Sequence, residues 1–143
     1  MRSLALLAAA VTVLVLAAPS MGERRPTVGA HSSSYGSILF DGRGFVLYAF
    51  THDSPRHSTC SGACAKAWPP YLISSGHAAA AAGANAKLVG TIRRSNGTTQ
   101  VTYAGRPLYY YVGDRKPGQI LCQNVSEFGG RWLVVRPNGK PVE

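Results

Sequence analysis

Apolar and polar residues alternate in short runs along most of the chain, and Gly, Asn and Asp punctuate the runs. "SILF" at 37–40 and "FVLYAF" at 45–50 flank "DGRG". Asp and Gly there supply the positive backbone angles of a tight turn, which predicts a hairpin. "LVGTIRR" and "TTQVTY" are joined through "SNG" at 95–97, and Asn-Gly between two such runs is the strongest short-range hairpin signal. "YAGRPLYYYV" turns at Ala104 and Gly105 into a further strand, and "RWLVV" at 131–135 is the last strand, closed by "RPNGK". Helical signals are confined to "SGACAKAW" at 61–68, where Ser61 is the expected cap and Pro69 and Pro70 stop the turn. "HAAAAAGANAK" at 77–87 lacks an amphipathic period and reads as a mobile loop. Six or seven short strands with Gly-rich turns define a mainly β, small antiparallel domain.

One segment occurs twice. "LYAFTHD" at 47–53 and "LYYYVGD" at 108–114 stand 61 residues apart, and Gly44 and Gly105 align at the same offset. Side chains alternate along a strand, so Tyr48 and Phe50 share one face, Tyr109 and Tyr111 share another, and Leu47 and Leu108 point the opposite way. Each following aspartate, Asp53 or Asp114, is placed to accept backbone N–H bonds and fix a turn. The pattern predicts two pseudo-symmetric hairpin repeats, about 36–73 and 88–137, stacked so that their aromatic faces are buried together. An Ala/Gly-rich loop at 74–87 joins them. Residues 36–143 form a single domain, and residues 23–35, with Pro, Gly and a Ser run, form a flexible leader.

The first residues change the compartment. Arg2 precedes the uncharged run "LALLAAAVTVLVLAA" at 4–18, and small residues follow. That layout is a secretory signal peptide over 1–22, cleaved between about Ala18 and Gly22, with an uncleaved N-terminal anchor as the alternative. Cleavage leaves about 120 residues, enough for one modest core. Lys and Arg total 15 against 6 Asp and Glu, a formal net charge of +9, and cleavage removes only Arg2 from that balance. A basic exported protein is drawn to anionic envelope polymers or a membrane surface. The cations are scattered and no nucleic-acid motif frames them, so nucleic acid is not an expected partner.

"CSGACAKAWPP" at 60–70 carries two cysteines with three residues between them. In an exported protein Cys60 and Cys64 are most simply a disulfide, which contributes roughly 2 kcal/mol for so short a loop. Together with "LYAFTHD", "LVGTIRRSNGTTQVTYAGRPLYYYVGDRKPG" and "GGRWLVVRPNG", this stretch resembles the bacterial secreted-repeat family, often called predicted lipoproteins with a Y-x-[FWY]-x-x-D motif. The resemblance covers about 36–139. It implies an exported two-repeat domain and brings no established activity, cofactor or catalytic residue. Its motif positions fall on Tyr48, Phe50, Asp53, Tyr109, Tyr111 and Asp114, with Cys60, Cys64 and Trp68 in the cysteine segment. Two features depart from the family. No lipid-attachment cysteine follows the signal peptide, and "ILCQNVSEF" at 120–128 adds a third cysteine. Cys122 is expected to be unpaired and to pack inward as a small apolar group, with an intermolecular bridge or competition for Cys60 and Cys64 as alternatives.

Three chemistries compete. Asp53, His57 and Ser58 are close in sequence, but no nucleophile motif frames them and no catalytic residue is assigned. Cys60, Cys64, His52 and His57 form the alternative set of soft ligands for copper in a metal or thiol redox protein. The reading adopted is a non-catalytic, envelope-associated interaction module of unknown ligand. Its expected contact surface is a cluster of exposed tyrosines drawn from Tyr35, Tyr71, Tyr103 and Tyr110.

Overall fold

A computed structural model describes residues 25–143; the expected signal peptide and its cleavage region lie outside the described residues. The chain is mainly β. Its first strand, β1 (Thr27–Ser33), pairs antiparallel with β2 (Gly36–Asp41) in a six-residue register from Val28 opposite Asp41 to Ser33 opposite Gly36. The segment expected to be a flexible leader therefore contains a strand. Its polar end, with His31 and Ser32 exposed, gives it the composition of a loop, while Val28 is fully buried. The Ala-rich stretch is corrected in the same way. Ala79–Ala80 forms β5, parallel to β1, with Ala81 N donating to Val28 O at 2.8 Å and Ala30 N to Ala82 O at 2.9 Å. Small residues allow that approach, since a Cβ on Gly83 would lie 2.8 Å from Ala30 O.

The "DGRG" turn follows β2, with Asp41 N donating to Phe45 O at 2.8 Å and Gly44 in the left-handed region at φ +88°. Motif strand β3 (Tyr48–Phe50) comes next. A disulfide-bearing loop leads to helix α1 (Ala63–Ala67), then to the short strand β4 (Leu72–Ile73) and to β5. Gly62, not Ser61, is the N-cap of α1; Ser61 contributes its carbonyl to Cys64 N at 3.1 Å. The second half opens with the predicted Asn-Gly hairpin, β6 (Val89–Arg93) and β7 (Thr99–Tyr103). Ala104 and Gly105, at φ +50° and +75°, turn β7 into β8 (Arg106–Pro107). The chain closes with β9 (Val125–Glu127) and β10 (Gly130–Val134).

The two halves exchange their last strands. Motif strand β3 pairs antiparallel with β10 of the second half, Tyr48 opposite Val134 and Phe50 opposite Trp132. The motif strand of the second half pairs with the end of the first, through the Tyr109–Pro70 bridge and Tyr110 N to Pro69 O at 2.8 Å. Each hairpin then hydrogen-bonds to the strand received from the other half: Leu39 N to Val135 O at 2.9 Å, and Val101 N to Tyr71 O at 2.8 Å. Between the halves Tyr48 and Tyr109 face each other, each N–H donating to the other's carbonyl at 2.9 Å. A pseudo-twofold axis passes through that bridge. The halves are interlaced rather than stacked.

Alternation along the central strands sends side chains to two sides, and both sides are buried layers of the core. Tyr48, Phe50, Tyr109, Trp68 and Trp132 fill one side. Leu47, Ala49, Leu108, Tyr71, Val101 and Tyr103 fill the other. Among the described residues no helix is long and apolar enough to cross a membrane.

Candidate functional site

The repeated motif residues meet at the pseudo-twofold axis, and their hydrogen bonds cross it. Tyr48 donates its hydroxyl proton to Asp114 Oδ2 at 2.8 Å, and Tyr109 donates to Asp53 Oδ2 at 2.7 Å. Each aspartate is therefore bound by the tyrosine of the other repeat. The opposite carboxylate oxygen closes a loop: Asp53 Oδ1 accepts Thr59 N at 2.7 Å and Thr59 Oγ1 at 2.9 Å, and Asp114 Oδ1 accepts Leu121 N at 3.0 Å. Each aspartate N–H also donates to the third motif aromatic, Asp53 to Phe50 O and Asp114 to Tyr111 O. The loop tips cross as well, with Arg56 N donating to Gly105 O at 2.8 Å and Gly118 N to Gly44 O at 2.9 Å.

Behind these bonds lies a stack of three rings with a fourth tilted against its end. Phe50 lies on Trp132 at 4.1 Å and Trp132 on Trp68 at 4.1 Å, and Tyr111 meets Trp68 at 4.7 Å with its plane tilted by 39°. Tyr48 meets Trp68 edge-on at 5.3 Å, and Tyr109 meets Trp132 edge-on at 5.1 Å. Offset stacked and edge-to-face rings are the favoured aromatic geometries. The equivalence has limits: Trp68 Nε1 donates to Glu127 Oε2 at 2.9 Å, whereas Trp132 Nε1 is buried without a hydrogen-bond partner.

Burial holds the phenols of Tyr48 and Tyr109 far above the ordinary tyrosine range, and the neighbouring carboxylates raise them further. Burial also raises Asp114, while its bonds from Tyr48 and Leu121 pull it back down. These tyrosines are proton donors near neutral pH, not bases. Tyr109 joins a longer chain. Its one proton is committed to Asp53, so Ser58 donates to Tyr109 across 2.7 Å, and Arg94 Nη1 donates to Ser58 Oγ at 2.8 Å. Arg94 also reaches Gln100 Oε1 at 2.7 Å and the Cys60 carbonyl, and Gln100 Nε2 donates to Leu108 O at 2.8 Å. The Ser58 proton runs to a phenol rather than to a base. His57 sits exposed in the Ser54–His57 turn, and no hydrogen bond joins its ring to Asp53 or Ser58. The grouping of Asp53, His57 and Ser58 is thus a structural chain without its histidine.

Cys60 and Cys64 are joined in a disulfide, with Cα atoms 5.2 Å apart. Their sulfurs are bonded to each other and buried in the aromatic layer, so the copper set of Cys60, Cys64, His52 and His57 lacks two free thiolates. His52 is exposed and lies beside Phe50 at 5.8 Å. Among the described residues no three His, Cys, Asp or Glu side chains group as a metal site. Cys122 is free and half-buried against the same aromatic layer, its thiol beside the Tyr111 hydroxyl. Burial pushes that thiol up.

The expected cluster of exposed tyrosines is corrected. Tyr103 is fully buried and donates to Pro137 O at 2.7 Å, and Tyr71 is buried and donates to Thr27 O at 3.0 Å. Tyr110 does point away from Tyr109 and Tyr111, but its hydroxyl donates to Asp41 Oδ2 at 2.9 Å. The opposite face is a second core layer and not solvent. Arg94 and Gln100 belong to the site and escape a reading of motifs. Their signal is a polar Gln at an inward position of an alternating strand, with an Arg at the preceding turn.

An interlaced two-repeat β domain with one disulfide is what this geometry defines. A family model described as a secreted repeat of unknown function matches residues 29–71 and again residues 90–136. The chain belongs to that secreted-repeat family. Each match contains one Tyr-Asp motif and one tryptophan of the central stack. No curated protein and no solved structure matches the chain.

Proposed function

We propose that the protein is an exported, non-catalytic interaction module that associates with anionic polymers or the anionic membrane surface of the cell envelope. The sorting of charge supports this reading. Asp41 and Asp114 are buried, Asp53 is bonded to Tyr109 and Thr59, Glu127 accepts from Trp68, and Glu143 pairs with Arg131 at 3.4 Å. Every carboxylate side chain among the described residues thus has an intramolecular partner. Arg56, Lys66, Arg93, Arg115, Lys116 and Lys140 meanwhile stand exposed. A surface whose carboxylates are engaged within the molecule while these cations stand exposed attracts polyanions and is screened by salt. Export proceeds through the signal peptide, cleaved between about Ala18 and Gly22, and N-terminal sequencing of the exported protein checks that position.

Cosedimentation with an anionic and a neutral polymer over a salt series tests the module. The expected result is binding to the anionic polymer alone, weakening as salt rises. Equal binding to both, or none, removes the reading. Thiol titration with metal analysis separates the redox alternative, which requires Cys60 and Cys64 reduced and carrying stoichiometric copper.

A further inference from the structure

A cleft of about 930 Å³ opens between the start of β1, the turn after β2, the Tyr71–Leu72 segment and Tyr110. Its size lies within the range of small-ligand sites, about 300–1,000 Å³. The floor is already satisfied. Asp41, 5 % exposed, accepts from Arg43 N, Phe45 N, Arg43 Nε and the Tyr110 hydroxyl, all at 2.9 Å. Tyr71 is tied to Thr27 O and packs against Tyr110 at 5.3 Å.

The cations at the rim are different. Arg43 is clamped along one edge by Asp41, and its guanidinium carbon lies 5.1 Å from the Phe45 ring centre and 5.6 Å from that of Tyr110. Its side chain nevertheless remains 69 % exposed. A guanidinium carries five N–H donors in a fixed fork, and Asp41 with Tyr110 cannot use them all. The remainder face the cleft, pre-oriented by a buried carboxylate. Arg25 also lines the cleft, exposed, and among the described residues no carboxylate other than the fully engaged Asp41 lines it. The described lining therefore has one uncompensated positive charge. Leu72, 42 % exposed, adds an apolar contact at the rim.

We propose that this cleft is a subsite for an acidic sugar, with the carboxylate of a uronic acid residue on the guanidinium groups of Arg43 and Arg25 and a C–H face of the ring on Leu72. A planar carboxylate matches a guanidinium fork through paired charge-assisted hydrogen bonds. An exposed guanidinium and an exposed Leu72 lining the same cleft suit a ring with both a carboxylate and a C–H face better than a lipid chain. This inference rests on the proposed affinity for envelope polyanions and gives it one address.

The test is calorimetric titration of the exported protein with a tetramer of galacturonic acid, beside a neutral galactose tetramer and a polyglycerol phosphate. The acidic tetramer should bind, and the neutral one should not. Arg43→Gln should weaken binding about ten-fold, the scale of a lost charge-assisted pair. Arg25→Gln, at a residue whose side chain makes no hydrogen bond within the described residues, should weaken it several-fold with an unchanged melting curve. Unchanged affinity in Arg25→Gln and Arg43→Gln overturns the site while leaving the polyanion reading intact. Preference for polyglycerol phosphate also overturns it. Failure of the wild type to bind any of the anionic probes removes both.

Discussion

The loop after Asp53 and the loop after Asp114 leave the same motif and are closed by different means. Both begin with a carboxylate that takes a tyrosine proton from the other repeat and a backbone N–H from its own loop. The first then runs into the Cys60–Cys64 disulfide and α1, which deliver Trp68 to the stack. The second has no disulfide. Gln123 takes over, accepting Val134 N at 2.7 Å and donating to Val142 O at 2.7 Å, and β9 leads on to Trp132. The comparison separates two tasks. Tyr, Asp and the stacked ring fix the base of each loop, and the chain between Asp and Trp is free to vary because it only has to return one indole to the axis.

Exchange of the final strands makes the first and largest prediction. Residues 25–87 and 88–143, expressed separately, should each lack cooperative unfolding, because each hairpin needs the strand that the other half supplies. Mixing them should restore a folded complex by circular dichroism and amide NMR. A stable isolated half would mean that the interlacing is not what holds the domain together. At the centre of the stack, Trp68→Ala and Trp132→Ala should each cost about 3–5 kcal/mol in denaturant unfolding, the usual range for a buried Trp. Replacement by Phe sharpens the comparison: Trp68→Phe loses the bond to Glu127, while Trp132→Phe loses no partner and relieves a buried N–H. Trp132→Phe should be the milder change. The reverse order would show that the two tryptophans are not energetically distinguished by that bond.

Much of this arrangement is legible in the chain. Alternation at 47–50 and 108–111 places Tyr48 and Phe50 opposite Leu47 and finds the aromatic layer. The 61-residue offset finds the twofold, and the Asn-Gly and Ala-Gly turns find their hairpins. Strand exchange is not legible, since pairing Phe50 with Trp132 is a long-range choice that no local pattern encodes. The crossed Tyr-Asp bonds depend on that exchange and stay hidden with it. Thr27–Ser33 reads as a leader because its exposed end is His and Ser, a composition that strands share with loops. Tyr71 and Tyr103 read as available for ligands because the number of buried faces depends on a second layer of packing.

Below the tryptophans in effect comes the disulfide. Its reduction, or a Cys60→Ala, Cys64→Ala double variant, should cost about 2 kcal/mol, measured as a loss in the unfolding midpoint. Amide exchange should quicken in the first loop and remain unchanged in the second; equal loosening of both would mean that the loops are coupled through the stack. Smaller still are the phenols. Tyr48→Phe strips a partner from the buried Asp114 and should cost on the order of 1–2 kcal/mol. Tyr109→Phe leaves Asp53, half-exposed, able to recruit water, and should cost less despite the loss of Ser58 as a neighbour. Asp114→Ala should likewise exceed Asp53→Ala. Loss of polyanion binding from either aspartate variant at unchanged stability would make the motif a site rather than a scaffold.

The smallest effect concerns protons. Burial raises Asp114 above its ordinary value of 3.8 in the folded protein, so the folded state holds that proton more tightly than the unfolded chain does. Unfolding free energy from this group therefore falls as pH rises from that ordinary value through the folded pKa, and it is recovered on acidification. Asp114→Asn keeps an acceptor for Tyr48 or Leu121 and removes the titration. The stability gap between wild type and Asp114→Asn should accordingly widen as the pH is lowered from 7 towards 4, followed by urea unfolding at each pH. A gap that narrows instead would show that the bonds from Tyr48 and Leu121 outweigh burial and hold the carboxylate charged. The second repeat would then carry an ion stabilised by its partner, and its loop would be held more by charge than by packing.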